Sequence, residues 1–253
     1  MKNDSTINQT NNELTESKAQ AIPGENIFPE LNKLEYVNIE QQQSCIDCLC
    51  PDCTNNEYVA VNPTTKQRLY EFREDSHICE RSCCFSCRGF VMNIRNREGV
   101  SVIVDIEGHK GCSLPCFCTF GCGKPTIKCN VKTPAGYKLG HVKFNFDSAC
   151  CALCYNRIDI YTGKDFPKYR IKRHRCCIAC HLGIWAKCCD CSYDIYEENA
   201  IVGEVVKLQC SSFFTFCPKS DNYQIRFPLN ATPDEKMLLL IGTLLLDYTT
   251  YYS

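Results

Sequence analysis

The sequence predicts a mainly β protein, a closed twelve-stranded antiparallel barrel around a buried hydrophobic C-terminal α-helix. Three observations predict it. Twelve short segments rich in β-branched and aromatic residues alternate in polarity, turn chemistry separates many of them, and one run, Met237 to Leu246, is apolar on every side.

Residues 1–30 are rich in Asn, Thr, Gln, Glu and Lys and poor in large apolar side chains. Such a segment cannot offset its ordering entropy, so a disordered polar tail is expected, with the domain over 31–253. Leu31, Leu34, Val37 and Ile39 have a spacing that suits either a short helix or an opening strand. From Glu57 the period becomes two. The strand segments are Tyr58 to Val61, Arg68 to Phe72, Gly89 to Arg95, Val100 to Ile106, Thr126 to Lys132 and Tyr137 to Phe146. A second set follows: Arg157 to Tyr161, Lys168 to Lys172, Tyr193 to Glu197, Ile201 to Leu208, Ser211 to Phe216 and Asn222 to Phe227. Turns rich in Asn, Pro, Gly and Asp punctuate them at Asn62 to Lys66, Asn96 to Gly99, Thr133 to Gly136, Thr162 to Asp165 and Glu197 to Ala200. The repeating unit is therefore the hairpin. Twelve strands are too many for a flat open sheet, and closure removes exposed edges.

The apolar run is the last element. Thr232 sits where an N-cap should, with Pro233 at the first helical position and Glu235 three residues after the cap. Ten apolar residues rise about 15 Å as a helix, against roughly 30 Å of bilayer hydrocarbon. A helix sheathed by protein is expected. A tail anchor extended through Tyr248 to Tyr252 would place Asp247 at membrane depth. A barrel wider than eight strands needs something to fill it, and this helix is the element available.

The 253 residues are 44% hydrophobic with a formal net charge of -1, enough for one domain with a sizeable core and no global pull towards nucleic acid. Twenty-four cysteines stand out. Met1 to Gln20 is polar throughout, so a reducing compartment is expected, with thiols free, metal-bound or acylated rather than paired. There is no Gly-rich phosphate loop, paired-carboxylate signature or G-x-S-x-G. His77 and His181 neighbour cysteines only in sequence, so no catalytic set is expected.

Several segments together resemble the phospholipid scramblase family. They are Leu34-Glu-Tyr36, Thr54-Asn-Asn-Glu-Tyr58, Gln67-Arg-Leu-Tyr70, Cys83-Cys84, Pro134-Ala-Gly136, Asp221-Asn-Tyr-Gln-Ile-Arg-Phe-Pro-Leu229 and Lys236-Met237 with the apolar run. The resemblance runs from about Leu31 to Ser253 and implies a tubby-like fold. It also implies calcium-dependent, ATP-independent movement of phospholipids between leaflets, with palmitoylated cysteines holding the protein to the cytoplasmic face of the plasma membrane or an endomembrane. A palmitoylated adaptor or phosphoinositide-binding module that moves no lipid is the alternative.

Four sets of residues follow. The family's calcium loop corresponds to Lys219 to Asn230, with candidate positions Asp221, Tyr223, Ile225, Phe227 and Asn230. Calcium needs six to eight oxygens, several of them carboxylate, and only Asp221 keeps one, so calcium binding weaker than in the family, or none, is expected. A strand with Tyr223, Ile225 and Phe227 on one face reads equally well. Cys112, Cys116, Cys118 and Cys122 lie where similar proteins carry a palmitoylation stretch, which would make an acyltransferase a partner; two acyl chains hold a protein stably where one does not. C-x-x-C pairs, above all Cys177/Cys180 with Cys188/Cys191, have zinc-ligand spacing, although free cysteine is also readily buried as a small hydrophobe. Lys168, Arg170, Lys172, Arg173 and Arg175 form the densest basic run, readable as a solvated strand face, an anionic-lipid patch or a nuclear import signal. No specific nucleic-acid reader is expected.

Overall fold

The computed structural model describes residues 27–42, 55–76, 90–107, 126–146, 156–173, 192–208 and 222–250. Twelve strands make the wall. They are β1 (Tyr36–Gln42), β2 (Glu57–Val61), β3 (Arg68–Asp75), β4 (Phe90–Asn96), β5 (Gly99–Glu107) and β6 (Thr126–Lys132), then β7 (Lys138–Phe146), β8 (Asn156–Tyr161), β9 (Tyr169–Arg173), β10 (Ser192–Glu197), β11 (Ala200–Leu208) and β12 (Asn222–Arg226). Each pairs antiparallel with its sequence neighbour, and β1 closes the barrel on β12 with Val37 opposite Ile225 and Ile39 opposite Tyr223. Closure leaves no unpaired edge.

The count of twelve agrees with the sequence, but one strand differs. Ser211 to Phe216 lies outside the described residues, between β11 and β12, which pair directly with each other. The described twelve include β1, from the stretch whose spacing suited helix or strand. A 3-10 turn at Pro29–Leu31 precedes it. Phe28, just inside the segment expected to be a polar tail, is fully buried, and Tyr70 donates a 2.6 Å hydrogen bond to Glu30.

Alternation sorts each strand into a lumen face and a solvent face. Val102, Val104 and Ile106 point in from β5, Cys129 and Val131 from β6, Val142 and Phe144 from β7, Ile158 and Ile160 from β8. The helix α1 (Pro233–Thr250) fills the space they enclose. Its start has the predicted capping box: Thr232 N–H donates to Glu235 Oε2 at 3.0 Å, and Glu235 N–H to Thr232 Oγ1 at 3.4 Å. Met237 to Ile241 and Leu244 to Leu246 are all buried. Glycine lets elements approach closely. A Cβ on Gly140 would lie 2.1 Å from the Tyr161 carbonyl oxygen, and one on Gly242 3.2 Å from Ile171.

The connections divide by end. β1–β2, β3–β4, β5–β6, β7–β8, β9–β10 and β11–β12 are joined at one end of the barrel, and every cysteine except Cys129 belongs to those joining segments. At the other end the joins are short, the 97–98 and 198–199 turns being the tightest, and there α1 enters. Asn62 and Asn96 shape two of these turns by accepting backbone N–H groups on their side-chain oxygens, at 2.9 Å from Thr64 and 2.8 Å from Glu98. Among the described residues no helix is long and apolar enough to cross a membrane.

Candidate functional site

The helix is tied into the barrel at both ends by polar groups. Where α1 enters, Lys168 from the turn before β9 sets its ammonium 2.6 Å from Glu235, and Tyr169 donates to the same carboxylate at 3.3 Å. Burial, then the Glu235 charge, raises the Tyr169 pKa. The next residue, Lys236, donates to the carbonyls of Leu31, Asn32 and Leu34 at 3.0, 3.2 and 2.8 Å, pinning the segment before β1 against the helix. Burial lowers its pKa. Near the exit, Asp247 accepts from Tyr58 at 2.5 Å and Tyr223 at 3.0 Å, two hydroxyls directed inward from β2 and β12.

This places most of the candidate calcium segment. Tyr223, Ile225 and Phe227 are lumen-facing core residues, fully or almost fully buried, and Asn230 lies in an exposed turn. Asp221 lies outside the described residues. The Tyr223 hydroxyl already serves Asp247, Ile225 and Phe227 have no side-chain oxygen, and Ile225 is paired with β1 on one side and β11 on the other. The described positions therefore do not fit calcium, which needs oxygens free of the ladder.

The basic run is broken up by the fold. Lys168 turns to the helix cap, as above. Arg170 and Lys172 face outward; the Arg170 guanidinium lies 3.8 Å from Asp159, and the Lys172 ammonium 5.4 Å from the Tyr196 ring centre. Arg173 ends β9, opposite Tyr193. Arg175 lies outside the described residues, as do the acylation candidates Cys112, Cys116, Cys118 and Cys122 and the zinc candidates Cys177, Cys180, Cys188 and Cys191. Cys129 is sealed in the lumen, where burial raises its pKa. Among the described residues no His, Cys, Asp and Glu side chains cluster as a metal site would require.

Linear reading missed a second basic set, because it is assembled across strands. The ladder sets Lys128 opposite Lys143 and Lys132 opposite Lys138 on β6 and β7, and Arg157 opposite Lys172 on β8 and β9. Asp159, almost fully buried on this outer wall, is held by Arg157 at 3.0 Å and by the Asn145 amide at 2.7 Å. His141 stacks on Tyr161 beside them with ring centres 4.2 Å apart. Desolvation lowers its pKa, and the Lys128 and Lys143 charges add to that. Two lysines on each of β6 and β7 were the available signal, but only the register shows that they meet.

Comparison with known proteins gives three findings. A family model described as Scramblase matches residues 16–253. Phospholipid scramblase 1 of Homo sapiens is 26% identical over 226 residues, 88% of this chain and 65% of the human protein. Phospholipid scramblase 2 of Bos taurus is 26% identical over 220 residues, 86% of this chain and 69% of the bovine protein. The chain thus spans just under two thirds of the length of the human relative. No solved structure is significantly similar to it.

Proposed function

The chain belongs to the scramblase family, and from that premise we propose that it is a non-enzymatic lipid translocator, moving phospholipids between bilayer leaflets without ATP. The observation that carries this reading is the extent of the family match, 16–253, which takes in every barrel strand and the plug. Membrane attachment is assigned to acyl chains on Cys112, Cys116, Cys118 or Cys122, placed by an acyltransferase, at the cytoplasmic face of the plasma membrane or an endomembrane. Clustering supports this, since one acyl chain holds a protein only marginally and two hold it stably. Entry into the nucleus is compatible with the basic residues that end β9. Calcium is assigned a weaker part than in the family or none, because Tyr223, Ile225 and Phe227 of the corresponding segment are core residues and only Asn230 among the described candidates offers an exposed side-chain oxygen. Zinc on Cys177, Cys180, Cys188 and Cys191 belongs to the same proposal, and fewer than one zinc per chain in reduced protein would remove it.

A second reading rests on one observation. The described lumen is packed with apolar side chains around α1 and offers no polar track for a headgroup. An acylated adaptor or phosphoinositide-binding module needs none. Reconstitution into vesicles with a fluorescent lipid and a leaflet-selective quencher separates the two. Lipid exchange faster than in empty vesicles, with or without calcium, is expected; exchange no faster under either condition leaves the adaptor.

A further inference from the structure

The outer wall of β6 to β9 carries more positive charge than the carboxylates beside it offset. Like charges directly opposite on neighbouring strands repel, and β6 to β9 carry three such pairs: Lys128 with Lys143, Lys132 with Lys138, and Arg157 with Lys172. The same strands also set Lys128 opposite Glu107 on β5, Lys143 opposite Asp159 and Asp159 opposite Arg170, and the rest of the ladder sets opposite signs together, as in Glu57 with Arg73, Glu71 with Arg95 and Glu204 with Arg226. The exception among the described residues is acidic, Asp194 opposite Glu204, and Asp194 is also opposite Lys172. Internal compensation on β6 to β9 is partial. Asp105 on β5 reaches Lys132 at 2.6 Å and Asp159 takes up Arg157, while Lys128 and Lys143 have no ion pair among the described residues. In a chain of formal net charge -1, this concentrates positive charge on one side.

A second feature belongs to the same wall. Its turns at the helix-entry end, β6–β7 and β8–β9, carry the exposed aromatics Tyr137 and Phe166, 47% and 63% accessible. Each has a lysine beside it: Lys138 follows Tyr137 in the chain, and the Lys164 ammonium lies 5.5 Å from the Phe166 ring centre. Aromatic rings with snorkelling lysines suit the headgroup layer of a bilayer, where one end of the side chain is apolar and the other wet.

We infer that the outer wall of β6 to β9 is the surface this protein lays on an anionic phospholipid membrane, with Lys128 and Lys143 at its centre and Tyr137 and Phe166 entering the headgroup layer at its edge. The inference rests on the membrane reading above and gives it an orientation: the barrel lies on its side. Anionic headgroups supply the counter-charge that the wall lacks. A nucleic acid would meet the same cations, but two aromatics on turn tips make no stacking platform for successive bases.

The test uses the full chain made in bacteria, without acyl chains, and vesicles of phosphatidylcholine with or without phosphatidylserine. Wild-type protein is expected to bind the anionic vesicles and to be weakened by salt. Neutralising both lysines in Lys128→Gln/Lys143→Gln should weaken that binding by more than about tenfold, at about fivefold per lysine. Arg73→Gln/Arg95→Gln, an identical charge change on β3 and β4, should lower binding by less than about twofold. Tyr137→Ser/Phe166→Ser should weaken the salt-resistant part. Equal loss in the lysine and arginine variants would overturn the inference and leave membrane binding intact, as would wild-type binding that no variant alters. Wild-type protein that binds no anionic vesicle would overturn both this inference and the membrane reading. Binding to a short DNA duplex as tight as to anionic vesicles, unaffected by the aromatic substitutions, would assign the wall to nucleic acid instead.

Discussion

Asp247 shows how one residue decides between two accounts of the C-terminal helix. A carboxylate near the end of an apolar run argues against a membrane span, yet sequence alone does not say what a barrel would do with it. Two inward tyrosines, Tyr58 from β2 and Tyr223 from β12, meet it in the lumen. Neither was legible as its partner, because one is separated from it by 189 positions and the other by 24. Losing the acceptor strands buried donors, so Asp247→Ala should cost on the order of 2–4 kcal/mol in equilibrium denaturation, and Asp247→Asn, which keeps an acceptor oxygen, distinctly less. Equal losses from the two substitutions would mean that the carboxylate acts by its charge rather than by accepting these hydroxyls.

Among the elements, the helix was the most legible, because its signals are local. Thr232, Pro233 and Glu235 announce the start, and both capping-box hydrogen bonds are present. The same Glu235 carboxylate also takes Lys168 and Tyr169. Those partners come from a run read as a solvated or lipid-facing strand, and alternation could not show that Lys168, at the strand's edge, turns to the helix cap. The strand at Tyr36–Gln42 was ambiguous for a related reason, since four apolar residues fit either period until β12 offers a partner. The Glu235 cluster implies a pH dependence. The Tyr169 pKa is raised in the fold, so above about pH 10 the unfolded chain releases that proton first and stability falls as pH rises. Lys236, with its lowered pKa, acts in the opposite direction over an overlapping range, which makes the comparison with a variant necessary. Denaturation midpoints followed from about pH 9 to 11 should decline more steeply for wild type than for Tyr169→Phe. Parallel curves would show that the Tyr169 hydroxyl does not titrate differently on folding.

The whole molecule is a barrel with two unlike ends and an unlike wall. Hairpin periodicity and the limit on open sheets were enough to reach closure and a plug. That every cysteine except Cys129 falls in sequence between strands whose joined termini share one end follows from strand order, which the sequence implies once the barrel is granted. Opposed lysines on β6 and β7 were not legible, because register depends on a β-bulge beside Lys132. Leu240 distinguishes a plug from an anchor at this scale. It is fully buried among side chains from the surrounding wall, so Leu240→Asp places an unpaired carboxylate in the apolar lumen. If α1 is the plug, the variant should lose its cooperative melting transition in solution, because no part of the wall has another core to fold around. If α1 is instead held in the bilayer when the protein works, Leu240→Asp should stay folded and soluble and lose only membrane binding. A folded Leu240→Asp protein that floats with anionic vesicles as wild type does would contradict both accounts, and would require the wall of β6 to β9 to bind lipid with the lumen repacked.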